Sequence, residues 1–187
     1  MAPHIVALAG SLRAGSFNRK LARLGADALA RAGASVDLVD LREVMMPLYD
    51  GDLEEQEGLP PGAVAFKARL AKAQGLWIAC PEYNSSVPGT FKNAIDWASR
   101  GDEDVFAGKV VALTGASPGM YGAMRAHYHL RQIVTTLGCW ALPEQLLVPR
   151  AHEAFGPDGA LLNAKSSAML EELAHALVAA TAKLAPG

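Results

Sequence analysis

The chain has 187 residues, 51% hydrophobic and 19% charged, and its 17 Lys and Arg nearly balance 19 Asp and Glu. That balance excludes intrinsic disorder and, with no run of like charges, leaves no electrostatic footprint for nucleic acid or an anionic membrane. No apolar stretch approaches the roughly 18 residues of a spanning helix, so the expectation is one cytoplasmic globular domain, 1–187, with a small-molecule partner.

Short apolar runs alternate with segments of helical spacing, the pattern of a sheet built from β-α units. The first run is His4 to Ala9, followed by a helix carrying Leu21, Leu24, Ala28 and Leu29 and ending at Gly33. Ser35 to Val39 is the second strand. After an irregular stretch from Arg42 to Pro60, which holds the apolar segment Met45 to Tyr49, comes a helix with Ala63, Phe66, Leu70 and Ala73. Leu76 to Cys80 is the third strand and Phe91, Ala94, Ile95 and Ala98 mark the next helix. Lys109 to Thr114, a helix with Leu130, Ile133, Val134 and Leu137, Cys139 to Val148, and a last helix from Ala164 to Leu184 complete the series. Strands that are apolar almost throughout are covered on both faces, so this is an α/β fold with a five-stranded parallel sheet between two helical layers.

Ligands of such sheets bind beyond the carboxyl ends of the strands, and three loops there are polar and glycine-rich. The first, Gly10 to Asn18, runs straight into a helix. Its glycines free backbone N–H groups, the helix start adds partial positive charge, and Ser11, Arg13 and Ser16 supply donors, which together suit a phosphate. Asn18 either caps the helix or joins this cradle. Gly10 and Gly15 have the opening spacing of a P-loop, but Ser16-Phe17 follows where Lys-Ser/Thr is needed. The dinucleotide fingerprint G-x-G-x-x-G is absent, so Asp40 reads as a surface or capping residue and a terminal phosphomonoester as the ligand.

The second loop, Cys80 to Gly89, is stiffened by Pro81 and Pro88 and can hold its main chain against a planar heterocycle. Glu82 has no partner carboxylate or histidine near it in sequence; a salt bridge is at least as good a reading as acid-base chemistry. The third loop has Gly115, Gly119 and Gly122, which permit close approach of a flat ligand, and Ser117 as its side-chain donor. No G-x-S-x-G elbow supports a hydrolase. Cys80 and Cys139 are far apart and read as buried thiols, and the five histidines show no zinc spacing.

Taken together, Gly10-Ser11-Leu12-Arg13 through Ser16-x-Asn18, Pro81-Glu82-Tyr83-Asn84 continuing to Pro88-Gly89 and Lys92 to Trp97, and Arg125-Ala126 to Leu130-Arg131 resemble the NADPH-dependent FMN reductase family. The resemblance covers nearly the whole chain and implies a flavodoxin-like strand order, 2-1-3-4-5. It implies that Ser11, Arg13, Ser16, Phe17 and Asn18 hold the FMN phosphate. Pro81, Glu82, Tyr83 and Asn84 would border the isoalloxazine, with Ser117, Gly119 and Gly122 closing its other side. The family pattern has two glycines where this chain has Gly122-Ala123. The implied donor is NADPH, with NADH as the alternative, and the acceptor is a quinone, azo compound, chromate or free flavin. The flavin itself would carry the hydride, so no residue is assigned a catalytic role. A homodimer or homotetramer is expected, with the Met45 to Tyr49 loop and the third helix as candidate contacts. Two rival functions share the fold: a flavodoxin-type electron carrier, which the weak net charge disfavours, and a flavin-binding interaction module.

Overall fold

The computed structural model describes residues 2–184. Five strands, β1 (His4–Ala9), β2 (Ser35–Val39), β3 (Gly75–Ala79), β4 (Val110–Ala116) and β5 (Trp140–Val148), form one parallel sheet in the order β2-β1-β3-β4-β5. The expected strands and their order are present, with β3 and β4 displaced by one or two residues. Winding reverses between β1 and β3, so the loops after β1, β3 and β4 meet over that point.

Alternate strand residues feed two cores. Ile5, Ala7, Trp77, Val110 and Ala112 face α1 (Phe17–Arg31) and the long terminal helix, where Leu21, Leu29, Leu170, Leu173 and Leu177 pack. Val6, Leu8, Leu76, Ile78, Val111 and Leu113 face the other layer and meet Phe66, Leu70, Phe91, Ile95, Leu130 and Val134.

The irregular stretch from Arg42 to Pro60 is more ordered than its sequence suggests. A 3-10 turn, Leu41–Val44, starts where Asp40 accepts the Arg42 N–H at 3.1 Å, and α2 (Gly51–Glu57) starts where Asp50 accepts the Asp52 N–H at 3.0 Å. Because α2 buries none of its residues, it leaves no apolar period to read. Asp40 is thus the capping residue expected of it, and it also pairs with Arg19 and Arg42. After α2 come α3 (Pro61–Ala71) and, beyond β3, α4 (Gly89–Ala98).

The Met45 to Tyr49 segment is tied to α4. Asn93 Nδ2 and Trp97 Nε1 both donate to the Pro47 carbonyl at 2.8 Å, and Asn93 Oδ1 accepts the Tyr49 N–H at 2.8 Å. Met45 and Leu48 nevertheless stay exposed.

At the far edge, α5 (Met124–Thr136) supports β5, α6 (Ala151–Ala154) follows, and α7 (Ala164–Leu184) closes the fold. Pairing of β4 with β5 jumps from Val111↔Ala141 to Leu113↔Gln145, leaving a bulge at Leu142 to Glu144. Arg131 satisfies the released carbonyls, donating to Leu142 O at 2.6 Å and Pro143 O at 3.2 Å. A proline in a bulged outer strand also discourages pairing with another sheet.

The tightest helix-to-sheet contact is Gly25 of α1 over the fully buried Trp77 of β3, where an added Cβ would lie 2.2 Å from the indole. Alanine in a helix interior ordinarily gains about 1 kcal/mol over glycine. Here overpacking of about 1–3 kcal/mol opposes it, and a denaturant titration of Gly25→Ala should show a net loss of stability. Gly15→Ala, with nothing within 4 Å of the new Cβ, should unfold within about 0.5 kcal/mol of wild type.

Candidate active site

The three loops enclose one open cleft of about 100 Å³, lined by Ser11, Arg13, Gly15, Ser16, Phe17 and Asn18 from the first, Pro81, Glu82 and Tyr83 from the second, and Ala116, Ser117 and Pro118 from the third. Asn84, Gly119 and Gly122 were expected here and do not line it. Asn84 sits with Ser85 at the tip of a tight hairpin, both at positive φ, closed by paired Tyr83 and Ser86 backbone bonds. Gly119 accepts the Arg150 N–H at 3.0 Å, and Gly122 is pressed against Leu147 and Val148. Gly119 is exposed on the third loop, whereas Gly122 is buried and serves the path of that loop. Gly115 is likewise closed off from any ligand, because His127 Nε2 would lie 2.6 Å from a Cβ there.

The first loop presents its donors as an anion would need them. Ser16 is the N-cap of α1 and accepts the Asn18 N–H at 3.2 Å, which leaves its hydroxyl hydrogen free to point outward. Ser11 is almost wholly buried, with its hydroxyl 3.4 Å from Tyr83 Oη. The N–H groups of Ala14, Gly15 and Phe17 have no acceptor among the described residues, and Arg13 is exposed and makes no ion pair among them. Unpaired N–H groups at a helix start, two hydroxyls and a guanidinium fit a phosphate monoester.

Asn18 belongs to the architecture beneath this cradle. Its Nδ2 donates to the Ala116 carbonyl at 2.8 Å and its Oδ1 accepts the Ala116 N–H at 2.9 Å, so the carboxamide pairs with the end of β4 as a strand would. One residue therefore fixes the first loop to the third. The third is further held by Ser117 N–H to Val148 O at 3.1 Å and Ala151 N–H to Ser117 O at 2.9 Å.

Among the described residues Glu82 is the only carboxylate lining the cleft, and its side chain is 8% exposed. Sequence reasoning found no partner for it, because the partner is 43 residues away. Arg125 Nε donates to Oε1 at 2.7 Å, and Oε2 accepts the Arg125 N–H at 3.0 Å and the Ala126 N–H at 3.4 Å. The carboxylate thus caps α5 and clamps the second loop to it. Burial works to raise its pKa, but the Arg125 side chain and the two backbone donors outweigh burial and hold it below the usual carboxylate value. The negative charge is thereby neutralised where an anionic ligand would otherwise be repelled. At Ala123, the residue before α5, φ is +75°, a left-handed conformation that explains the family's preference for glycine there.

Glu82→Gln should remove about 1–3 kcal/mol of stability at pH 7. Because the folded-state pKa lies below the unfolded one, this contribution is complete above the unfolded value and disappears as pH falls through the folded value. Urea titrations of both proteins at pH 7 and in acid should therefore diverge at neutral pH and converge at low pH.

Residues 3–153 match the family model of the NADPH-dependent FMN reductases. The chain is 39% identical to the NAD(P)H-dependent FMN reductase of Pseudomonas aeruginosa over 92% of each chain. It is 44% identical to the quinone reductase of Escherichia coli, over 71% of this chain and 70% of that one. Among solved structures, the flavoenzyme NAD(P)H:(acceptor) oxidoreductase FerB of Paracoccus denitrificans superimposes with a TM-score of 0.85 at 29% identity, covering 99% of this chain and 100% of that one. Fold, three-loop cleft and sequence agree, and the chain belongs to the NADPH-dependent FMN reductase family.

Proposed function

We propose that this NAD(P)H-dependent FMN oxidoreductase holds FMN in the three-loop cleft and delivers its reducing equivalents to a quinone. The observation that carries the placement is the convergence of unpaired N–H groups, Ser11, Ser16 and Arg13 at the start of α1, beside a proline-stiffened loop. Bound FMN would supply hydride transfer to and from its ring. The chain's own part is to bind and orient. Ser11, Arg13 and Ser16 take the phosphate, with the Phe17 N–H beside them. Pro81, Glu82 and Tyr83 form one wall and Ser117 with Ala116 the other. Asn18 acts by holding the first loop in register with the Ala116 wall.

A quinone is favoured as acceptor by the similarity to the Escherichia coli enzyme. Tyr83 lines the cleft, and Met120 and Tyr121 are exposed on the third loop, so together they would give a flat acceptor apolar surface on which to lie. A cytoplasmic protein assembled as a homodimer or homotetramer completes the reading. None of the described helices is long and apolar enough to cross a membrane.

Ser11→Ala and Arg13→Ala should each weaken FMN binding by about tenfold or more, since a hydrogen bond to a charged group contributes roughly 1.5–3 kcal/mol. Quenching of flavin fluorescence during titration reads this directly. Hydride transfer at saturating FMN should change little, as these residues touch the phosphate end. Unchanged affinity in both variants would place the phosphate elsewhere.

A further inference from the structure

His127 lies within α5, one turn beyond its start, and is fully buried. Its Nδ1 is 3.4 Å from Gln145 Oε1, an acceptor that the β5 bulge brings under the ring and that also faces Arg131 Nη2. In the tautomer that carries its proton on Nδ1, donating to Gln145, Nε2 is an acceptor that meets no partner in hydrogen-bonding geometry among the described residues, although the Thr114 carbonyl faces the ring. Nε2 points to the place where two cleft loops leave the sheet. A Cβ on Gly115 would lie 2.6 Å from Nε2 and 2.8 Å from the Cys80 carbonyl. Cys80 precedes Pro81 and Gly115 precedes Ala116, both of which line the cleft. Only glycine at 115 leaves room for the ring. A polar nitrogen buried behind the cleft without a well-formed hydrogen bond calls for a role.

We infer that His127 is a redox-linked proton site, neutral while the cleft's flavin is oxidised and protonated at Nε2 when the flavin is reduced. The inference rests on the reading that FMN occupies the cleft. Bound flavin would accept a hydride with its electron pair from NADPH, leaving NADP⁺. The proton that joins Nε2 would come from solvent and return to solvent when the acceptor takes the hydride, and no electrons pass through the imidazole. His127 touches no reacting atom and acts as a positioning residue for charge.

The surroundings set the balance. Burial disfavours the imidazolium most strongly, the Thr114 carbonyl and Gln145 favour it, Arg131 disfavours it, and Glu82 favours it. Arg125 faces Glu82 and is paired with it, and burial keeps the Cys80 thiol protonated. The Thr114 carbonyl, which already accepts the Cys80 N–H at 2.8 Å, faces the imidazole from β4. Burial prevails and holds the group below its ordinary value, and negative charge arriving on the other side of these loops shifts it back toward protonation.

The test is the midpoint potential of the FMN-loaded protein, measured by spectroelectrochemistry across pH 5.5 to 8.5, for wild type and His127→Gln. Wild type should show the steeper dependence on pH, by up to one proton per two electrons. In parallel, nitrogen NMR of ¹⁵N-histidine-labelled wild type should show the His127 ring neutral in the oxidised protein and protonated after photoreduction, a readout that does not depend on the variant folding. Equal slopes, or a ring that stays neutral in both states, would overturn the inference alone. A protein that binds no FMN would overturn it together with the reading on which it rests.

Discussion

Parallel pairing sends every strand-to-helix loop to one edge of the sheet, and reversal of the winding at β1 holds the helices apart there. The cleft exists because of that constraint, and each of its supports answers the problem it creates. Three loops that are far apart in the chain must be kept in register where no strand continues. Asn18 solves this between the first and third by pairing its carboxamide with Ala116. Glu82 solves it between the second loop and α5. Each tie uses a buried or nearly buried polar group whose hydrogen-bonding capacity is met by backbone as well as side chain, so each is directional and specifies one arrangement.

The second problem is negative charge. A flavin phosphate is anionic and a reduced ring gains charge, while the only acid lining the cleft among the described residues is Glu82. Its pairing with Arg125 and two N–H groups removes that charge from the ligand's view. The helix start and free N–H groups of the first loop add positive potential at the other end. The chain's contribution is preorganised binding and electrostatics around a cofactor that carries the hydride.

Much of this was legible in sequence because the relevant signals are local. β1, for example, is an apolar run bounded by Gly10, and the first cleft loop compresses glycines, serines and an arginine into nine residues. What escaped was long-range or non-periodic. α2 has no buried face and is announced only by its cap, Asp50. Glu82 and Arg125 are joined by a crossover, not by spacing. Gly115 and Gly122 looked like ligand contacts, yet each is glycine because another part of the protein, His127 or β5, occupies the space. A glycine's meaning depends on what stands opposite, which a single sequence does not display.

The most direct measurement is the visible spectrum of the purified protein mixed with FMN, recorded without oxygen before and after one equivalent of NADPH. The account predicts a protein-bound flavin whose visible absorbance bleaches promptly, as expected for full two-electron reduction. Bound flavin that stays oxidised under those conditions would contradict it.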